Sequence, residues 1–204
     1  MTEVIRADDP GAPEKAASIL KSGGIIIYPT ETLYGIGAVA TNEPAVRRVF
    51  EIKGRPHGRP IPVLGRDKEM LAEIVEFDEA ASSLAKKFWP GPLTLVLTEK
   101  GKLPRLITAG TGKAAVRVSA DPFVIRLFAL VNDPITSTSA NVSGGDNLLG
   151  LDYIYETFKG KVELIIDSGN IPPSKGSTVV DVTAIPPEII REGDITLSDL
   201  KEFF

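Results

Sequence analysis

The chain has 204 residues, 43% of them hydrophobic, and a formal net charge of −4; this is enough for one sizeable core, and no linker-like stretch argues for a second domain. The acidic balance excludes a surface that is basic throughout, so any RNA contact would need a local basic patch. With no cysteine, disulfides and thiolate metal sites are excluded; Met1–Arg6 lacks a signal-peptide pattern and no apolar run nears membrane-spanning length, so a cytoplasmic domain without membrane contact is expected.

Val4-Ile5 begins a first strand, and Pro13 to Ser22 follows as a helix whose apolar face is Ala16, Ala17, Ile19 and Leu20, stopped by Gly23-Gly24. Ile25 to Tyr28 reads as a buried strand that opens at Pro29 into the polar loop Thr30-Glu31-Thr32-Leu33-Tyr34-Gly35-Ile36-Gly37. Strand ends of this kind are where open α/β sheets bind ligands. Asn42 caps the next helix, with Pro44 in its first turn and Ala45, Val46, Val49, Phe50 and Ile52 as its apolar face; Gly54 ends it. Ile61 to Leu64 is a short strand. Helices over Lys68–Val75 and Glu79–Phe88 precede the break Trp89-Pro90-Gly91-Pro92.

Leu93–Thr98 and Ala114–Val118 read as strands, and Asp121-Pro122 starts a helix running to about Leu130. Pro134–Ser137 returns as a strand and Asn141–Gly150 is a polar loop. A helix near Tyr153–Phe158, strands at Val162–Asp167, Thr178–Val182 and Ile189–Arg191, and a short terminal helix complete the chain. Strands and helices interleave without strict βαβ regularity, which predicts an α/β fold: a twisted sheet of mixed parallel and antiparallel strands flanked by helices.

Two phosphate-binding signatures fail on context. Gly35-Ile36-Gly37-Ala38-Val39-Ala40 matches a dinucleotide fingerprint, but a polar loop separates it from its strand and no helix begins at its glycines, so a turn or close-packing role is preferred. Gly110-Thr111-Gly112-Lys113 resembles the end of a P-loop, yet Ile107 stands where the first glycine belongs and Ala114 replaces the hydroxyl residue; a flexible loop is expected.

What remains is a dispersed constellation. Lys53, Arg55 and Arg59 crowd one short stretch after a helix; they either meet phosphate or carboxylate, or merely complement the helix C-terminal dipole. Ser137, Ser139 and Asn141 alternate at a strand end and so share one face, as ligand contacts or as caps of the next segment. Arg117 lies in the apolar strand Ala114–Val118, where a cation needs either a structural ion pair or an anionic ligand. Glu31 is read as organising its loop rather than as a base. His57, the one histidine, reads as a bystander, and no metal-ligand spacing is present.

Taken in order, these segments resemble the YrdC-like family, which includes single-domain L-threonylcarbamoyladenylate synthases. The resemblance is carried by Pro-Thr-Glu-Thr-x-Tyr-Gly-x-Gly (Pro29–Gly37), Lys-x-Arg (Lys53, Arg55), Trp-Pro-Gly-Pro-x-Thr (Trp89–Thr94), Val-Arg-Val (Val116–Val118), Ser-x-Asn (Ser139, Asn141) and Ser-Thr-Val-Val-Asp (Ser177–Asp181), and runs from about Pro10 to Arg191. It implies a single YrdC-like domain over 1–204, core about 10–191, with a concave electropositive face. It also implies synthesis of threonylcarbamoyl-AMP and pyrophosphate from L-threonine, bicarbonate or CO2 and ATP, with Mg2+ carried in on ATP. The adenylate would pass to threonylcarbamoyl-transferase machinery that modifies tRNA, and tRNA itself is a conceivable contact.

Carried over position by position, Thr32, Arg117, Ser137 and Ser177 would line the threonine side. Lys53, Arg55, Arg59, Ser139, Asn141, Asn147 and Arg191 would lie on the nucleotide side, with Lys53 and Arg55 as the catalytic charges. The chemistry asks for no protein nucleophile: the carboxylate of N-carboxy-threonine attacks the α-phosphorus of ATP, so positioning and charge carry catalysis. The pattern departs at Leu64, where some members place His, and at Ser119-Ala120-Asp121-Pro122 after the Val-Arg-Val strand. The chain also stops near Phe204 without the C-terminal domain of the longer branch, so closure over the site is expected from its own loops or a partner. The alternatives are a carbamoyl-adenylate-handling module, of the kind usually embedded in longer cysteine-containing chains, and a non-catalytic RNA-binding protein.

Overall fold

The computed structural model describes residues 1–141 and 150–203. In chain order the elements are β1 Glu3–Arg6, α1 Ala12–Lys21, β2 Ile26–Tyr28, β3 Gly35–Gly37, α2 Glu43–Lys53, β4 Val63–Leu64, α3 Lys68–Ala72, α4 Glu79–Phe88, β5 Leu93–Thr98, α5 Arg105–Thr108, β6 Lys113–Arg117 and α6 Pro122–Phe128, then β7 Ile135–Thr136, β8 Thr138–Ser139, α7 Leu151–Phe158, β9 Leu164–Asp167, β10 Thr178–Asp181, β11 Glu188–Arg191 and α8 Leu197–Leu200. The helix starts follow local chemistry. Asn42, Asp67, Asp78 and Asp121 each accept a hydrogen bond from a backbone N–H of the first turn, and Thr196 and Asp199 form a capping box.

The expected mixed α/β pattern holds, but as two sheets rather than one. The first runs β1-β9-β2-β3-β8 and the second β11-β10-β5-β6-β4-β7. Both mix parallel and antiparallel pairs: β9 runs parallel to β1 and β2, while β3 is antiparallel to β2 and β8. The continuous apolar run at residues 25–28 has a reason. Ile25 and Ile27 enter the larger core, shared with Val63, Leu95 and Val116 of the second sheet, whereas Ile26 and Tyr28 enter a smaller core with Leu20 of α1 and Phe123 and Leu127 of α6. A strand covered on both faces has no polar side to alternate.

Three elements escape the sequence reading, namely β3, α5 and β8, each of four residues or fewer. Short segments of this kind carry too few periods to register as pattern. β8 matters most. After β7 pairs with β4 in the second sheet, the chain crosses at Ser137, whose N–H donates to Pro62 O at 2.8 Å, and pairs as β8 with β3 in the first.

The glycines of the false dinucleotide fingerprint belong to β3, and the space they leave is filled by protein. A Cβ on Gly37 would lie 2.7 Å from Tyr28 Cε1, and one on Gly35 3.1 Å from Tyr28 Cζ. Tyr28 cannot retreat, being fully buried with its hydroxyl donating to Thr136 O at 3.0 Å. Gly37→Ala should therefore destabilise the protein by about 1–3 kcal/mol through overpacking, measured by urea unfolding. Gly58→Ala, where nothing lies within 4 Å, serves as the neutral comparison; equal midpoints for the two variants would refute the packing role.

Candidate functional site

A cavity of ≈ 160 Å³ is lined by parts of both sheets: the β2–β3 loop (Thr30, Thr32, Leu33, Tyr34), β3 (Gly35), β4 with Pro62, Thr94 of β5, Arg117 of β6, the crossing at Ser137–Ser139, the segment Lys175–Ser177 and Arg191 of β11. Arg55 completes its wall. Four of these side chains are cationic and none is a carboxylate. Thr32, Arg55, Arg117, Ser137, Ser139, Ser177 and Arg191, distant in sequence, thus meet around one space.

Lys53 does not line that space; it lies beneath it. Gly54 adopts φ +61°, and the N–H of Arg55 donates to Phe50 O at 3.0 Å, so the chain turns off the helix immediately after Lys53. The Lys53 side chain is 2% exposed, and its Nζ donates to Ser139 O, to Asn141 Oδ1 at 2.8 Å and to Asn141 O at 3.1 Å, with Ser139 Oγ at 3.3 Å. Ser139 Oγ in turn donates to Asn141 Oδ1 at 2.7 Å. Burial, reinforced by the nearby Arg55 charge, lowers the Lys53 ammonium to about 8. A sequence signal for this existed. Val46, Val49, Phe50 and Lys53 fall on one helical face, so Lys53 sits on the buried stripe.

Arg117, 5% exposed, combines the two roles that its sequence context left open: it faces the cavity and is also ion-paired. Its Nη2 lies 2.9 Å from Glu31 Oε2 and its Nη1 donates to Thr32 Oγ1 at 3.1 Å. Glu31 Oε2 also accepts from Ser119 Oγ. Thr30 Oγ1 donates to Leu33 O at 2.6 Å, so the 3.0 Å contact between the two threonine hydroxyls runs from Thr32 to Thr30. Arg117 Nε and Glu31 Oε1 are buried and without a hydrogen-bond partner among the described residues. Glu31 itself does not line the cavity.

On the far wall, Thr94 Oγ1 donates to Ser177 Oγ at 2.8 Å, and Arg191 donates from Nε and Nη2 to Ser177 O at 3.2 and 2.7 Å. Burial and the Arg117 charge push the Arg191 guanidinium below its ordinary value. Arg55 is stretched across its own loop, donating to Arg59 O at 3.0 Å and Pro60 O at 2.7 Å, and is likewise lowered by burial and by Arg59. Arg59 is exposed and outside the lining, and Asn141 lines a neighbouring cavity of ≈ 280 Å³ that shares Thr32, Leu33, Tyr34 and Ser139. Asn147 lies outside the described residues. Thr30, Thr94 and Lys175 line the cavity without having been named as site residues from the sequence, although the first two lie in the segments that carry the family resemblance. The buried Thr94 inside an apolar strand was the available signal; Lys175, in a Pro-Pro-Ser-Lys-Gly run, offered none.

Four cations and a set of hydroxyls, with no carboxylate among the described lining residues, make this cavity suited to a polyanion. The P-loop-like segment plays no part in it: Gly110 and Gly112 turn at φ +74° and +72°, and Lys113 pairs with Asp181 at 2.9 Å. His57 packs edge-on against Phe50 at 5.8 Å and is exposed. Among the described residues no helix is long and apolar enough to cross a membrane, and no group of three His, Cys, Asp or Glu could hold a metal ion.

Comparison with known proteins converges on one group. The Sua5/YciO/YrdC family, described as "Telomere recombination", matches residues 18–193. A Pyrococcus abyssi protein named threonylcarbamoyl-AMP synthase is 42% identical over 188 residues, covering 92% of this chain, and a Bacillus subtilis protein of the same name is 33% identical over 203 residues, covering 98%. The chain spans only 55% and 58% of those two proteins. The crystal structure of P. abyssi Sua5 complexed with L-threonine superposes with a TM-score of 0.93 at 38% identity, over 100% of this chain and 61% of that one.

Proposed function

Because the chain belongs to the Sua5/YciO/YrdC family, we propose that it forms threonylcarbamoyl-AMP and pyrophosphate from L-threonine, bicarbonate or CO2, and ATP. The observation that carries the reading is the cavity wall of Arg55, Arg117, Lys175 and Arg191 with no opposing carboxylate among the described residues, together with the likeness to proteins named for this activity. Arg55 and Arg191 face the triphosphate, and Lys53 adds a buried positive charge behind Ser139 and Asn141. Arg117, with Thr32 beside it, takes the carboxylate of threonine, while Ser137 and Ser177 supply hydroxyls. In the chemical step the carboxylate oxygen of N-carboxy-threonine bonds to the α-phosphorus, and pyrophosphate leaves with the bridging oxygen and its electron pair. The cations stabilise the charge that moves onto the leaving group, the kind of preorganised stabilisation that is usually the largest single contribution to a rate.

Mg2+ would be held by the phosphate oxygens of ATP and would offset their charge, since the described lining residues supply cations and hydroxyls rather than carboxylates. The adenylate is consumed by a threonylcarbamoyl-transferase acting on tRNA, and the protein works in the cytoplasm. The test is incubation with ATP, L-threonine and bicarbonate in the presence of Mg2+ or Mn2+. Pyrophosphate release that requires both threonine and bicarbonate, with a product of threonylcarbamoyl-AMP mass, is the expected result. No product with either metal, alongside salt-sensitive tRNA binding, would replace this reading with RNA binding alone.

A further inference from the structure

We propose that Glu31 is a specificity-determining residue: by neutralising Arg117 it divides the cavity's cations into a compensated end that admits a single carboxylate and an uncompensated end that takes polyphosphate. The two ligand classes are those of the reaction proposed above, so the inference rests on that reading.

Of the four cations in the wall, Arg117 alone has a carboxylate partner among the described residues, Glu31 at 2.9 Å. Arg55 is hydrogen-bonded to the carbonyls of Arg59 and Pro60, and Arg191 to the carbonyl and hydroxyl of Ser177. These oxygens orient the guanidinium groups without cancelling their charge, and Lys175 has no ion pair among the described residues. Glu31 stands behind Arg117, outside the lining, fixed by Ser119 Oγ. It reaches a ligand only through its charge and through the guanidinium it holds.

The consequence is a difference in how each ligand values the two ends. A polyphosphate gains from every uncompensated cation it can touch, but at Arg117 the carboxylate beside the guanidinium removes most of that gain. A monocarboxylate depends more on directed N–H donors, which Arg117 presents in a pose locked by Glu31 and Thr32. Without the Glu31 charge, phosphate oxygens would compete for the threonine end. A carboxylate retained solely to brace the loop would leave this competition unchanged.

The experiment is competition calorimetry with pyrophosphate and L-threonine on the wild-type protein, Glu31→Gln and Glu31→Asp. In the wild type the two ligands should bind together, each changing the other's Kd by less than about threefold. In Glu31→Gln, saturating pyrophosphate should weaken threonine binding by about tenfold or more; Glu31→Asp, which keeps the charge, should behave as the wild type does. Equal competition in wild type and Glu31→Gln overturns the inference. Should Glu31→Gln fail to fold, the neutral pair Glu31→Gln with Arg117→Gln decides: pyrophosphate affinity should stay within about threefold of wild type, and a loss of about tenfold would show that Arg117 serves phosphate after all. Failure of the wild type to bind L-threonine at all would instead strike the functional reading and remove the inference with it.

Discussion

Lys53→Met is expected to lower the rate of adenylate formation by about 10²–10³ and, in the same protein, to destabilise the fold by about 1–3 kcal/mol. Met keeps the length of the side chain, so packing at the C-terminal end of α2 changes little. What disappears is a charged donor to Ser139 O, Asn141 O and Asn141 Oδ1, and a buried acceptor that loses one of its bonds keeps part of its desolvation cost. Relief from burying a charge offsets part of that loss. The Ser139–Asn141 turn should loosen, and Ser139 is a cavity residue. Steady-state pyrophosphate release and urea unfolding test the two halves. A variant with wild-type turnover would remove Lys53 from the mechanism.

The pH dependence separates the two effects further. The folded-state value near 8 lies below the ordinary 10.5. Below about 8 the ammonium is charged in both folded and unfolded chains, and the cost of burying it is fully present. Between about 8 and 10.5 the unfolded chain binds the proton more strongly, so stability should rise with pH across this window. Affinity for pyrophosphate should move the other way, falling as the buried charge is lost above about 8. Opposite trends in unfolding midpoint and Kd between pH 7 and 9.5, both absent in Lys53→Met, are the expected signature.

Arg117→Met should be the most damaging single change, with threonine-dependent turnover lost by about 10²-fold or more and stability lowered by about 3–5 kcal/mol. The stability loss follows because removing one member of a buried pair leaves the other charge uncompensated, and Glu31 already has one buried oxygen without a partner among the described residues. Arg117→Lys should not restore threonine use. A single ammonium cannot bond Thr32 and Glu31 from two directions while presenting a further donor to the ligand. Threonine titration calorimetry and thermal unfolding check both claims. Arg117→Met with unchanged threonine affinity would reassign that end of the cavity.

Much of this protein was legible from residue order. The helix starts at Asn42 and Asp121 were readable because caps act within a turn, and the doubly buried β2 because an apolar run needs no distant partner to be recognised. Less legible was the site. Sequence context left Arg117 divided between an ion pair and a ligand contact, and the fold gives it both an acidic partner and a place in the cavity wall. It left Lys53 divided between a solvated helix end and a phosphate ligand, and the fold buries it beneath the oxygens of Ser139 and Asn141.

Residue order alone was sufficient for the mixed α/β class, the boundaries of the longer helices, the dismissal of both phosphate-loop signatures and the residues from which a site could be drawn. These rest on interactions spanning a few residues, where spacing and side-chain type are sufficient. Long-range packing was needed to establish that there are two sheets, that the chain changes sheet at Ser137, that the Tyr28 ring fills the space left by Gly35 and Gly37, and that Lys53 meets Ser139 and Glu31 meets Arg117, each across 86 residues. No local pattern encodes a partner that far along the chain. Which buried donor finds which buried acceptor is fixed when the two sheets pack, because only then does water leave and each polar group have to be satisfied by what remains nearby.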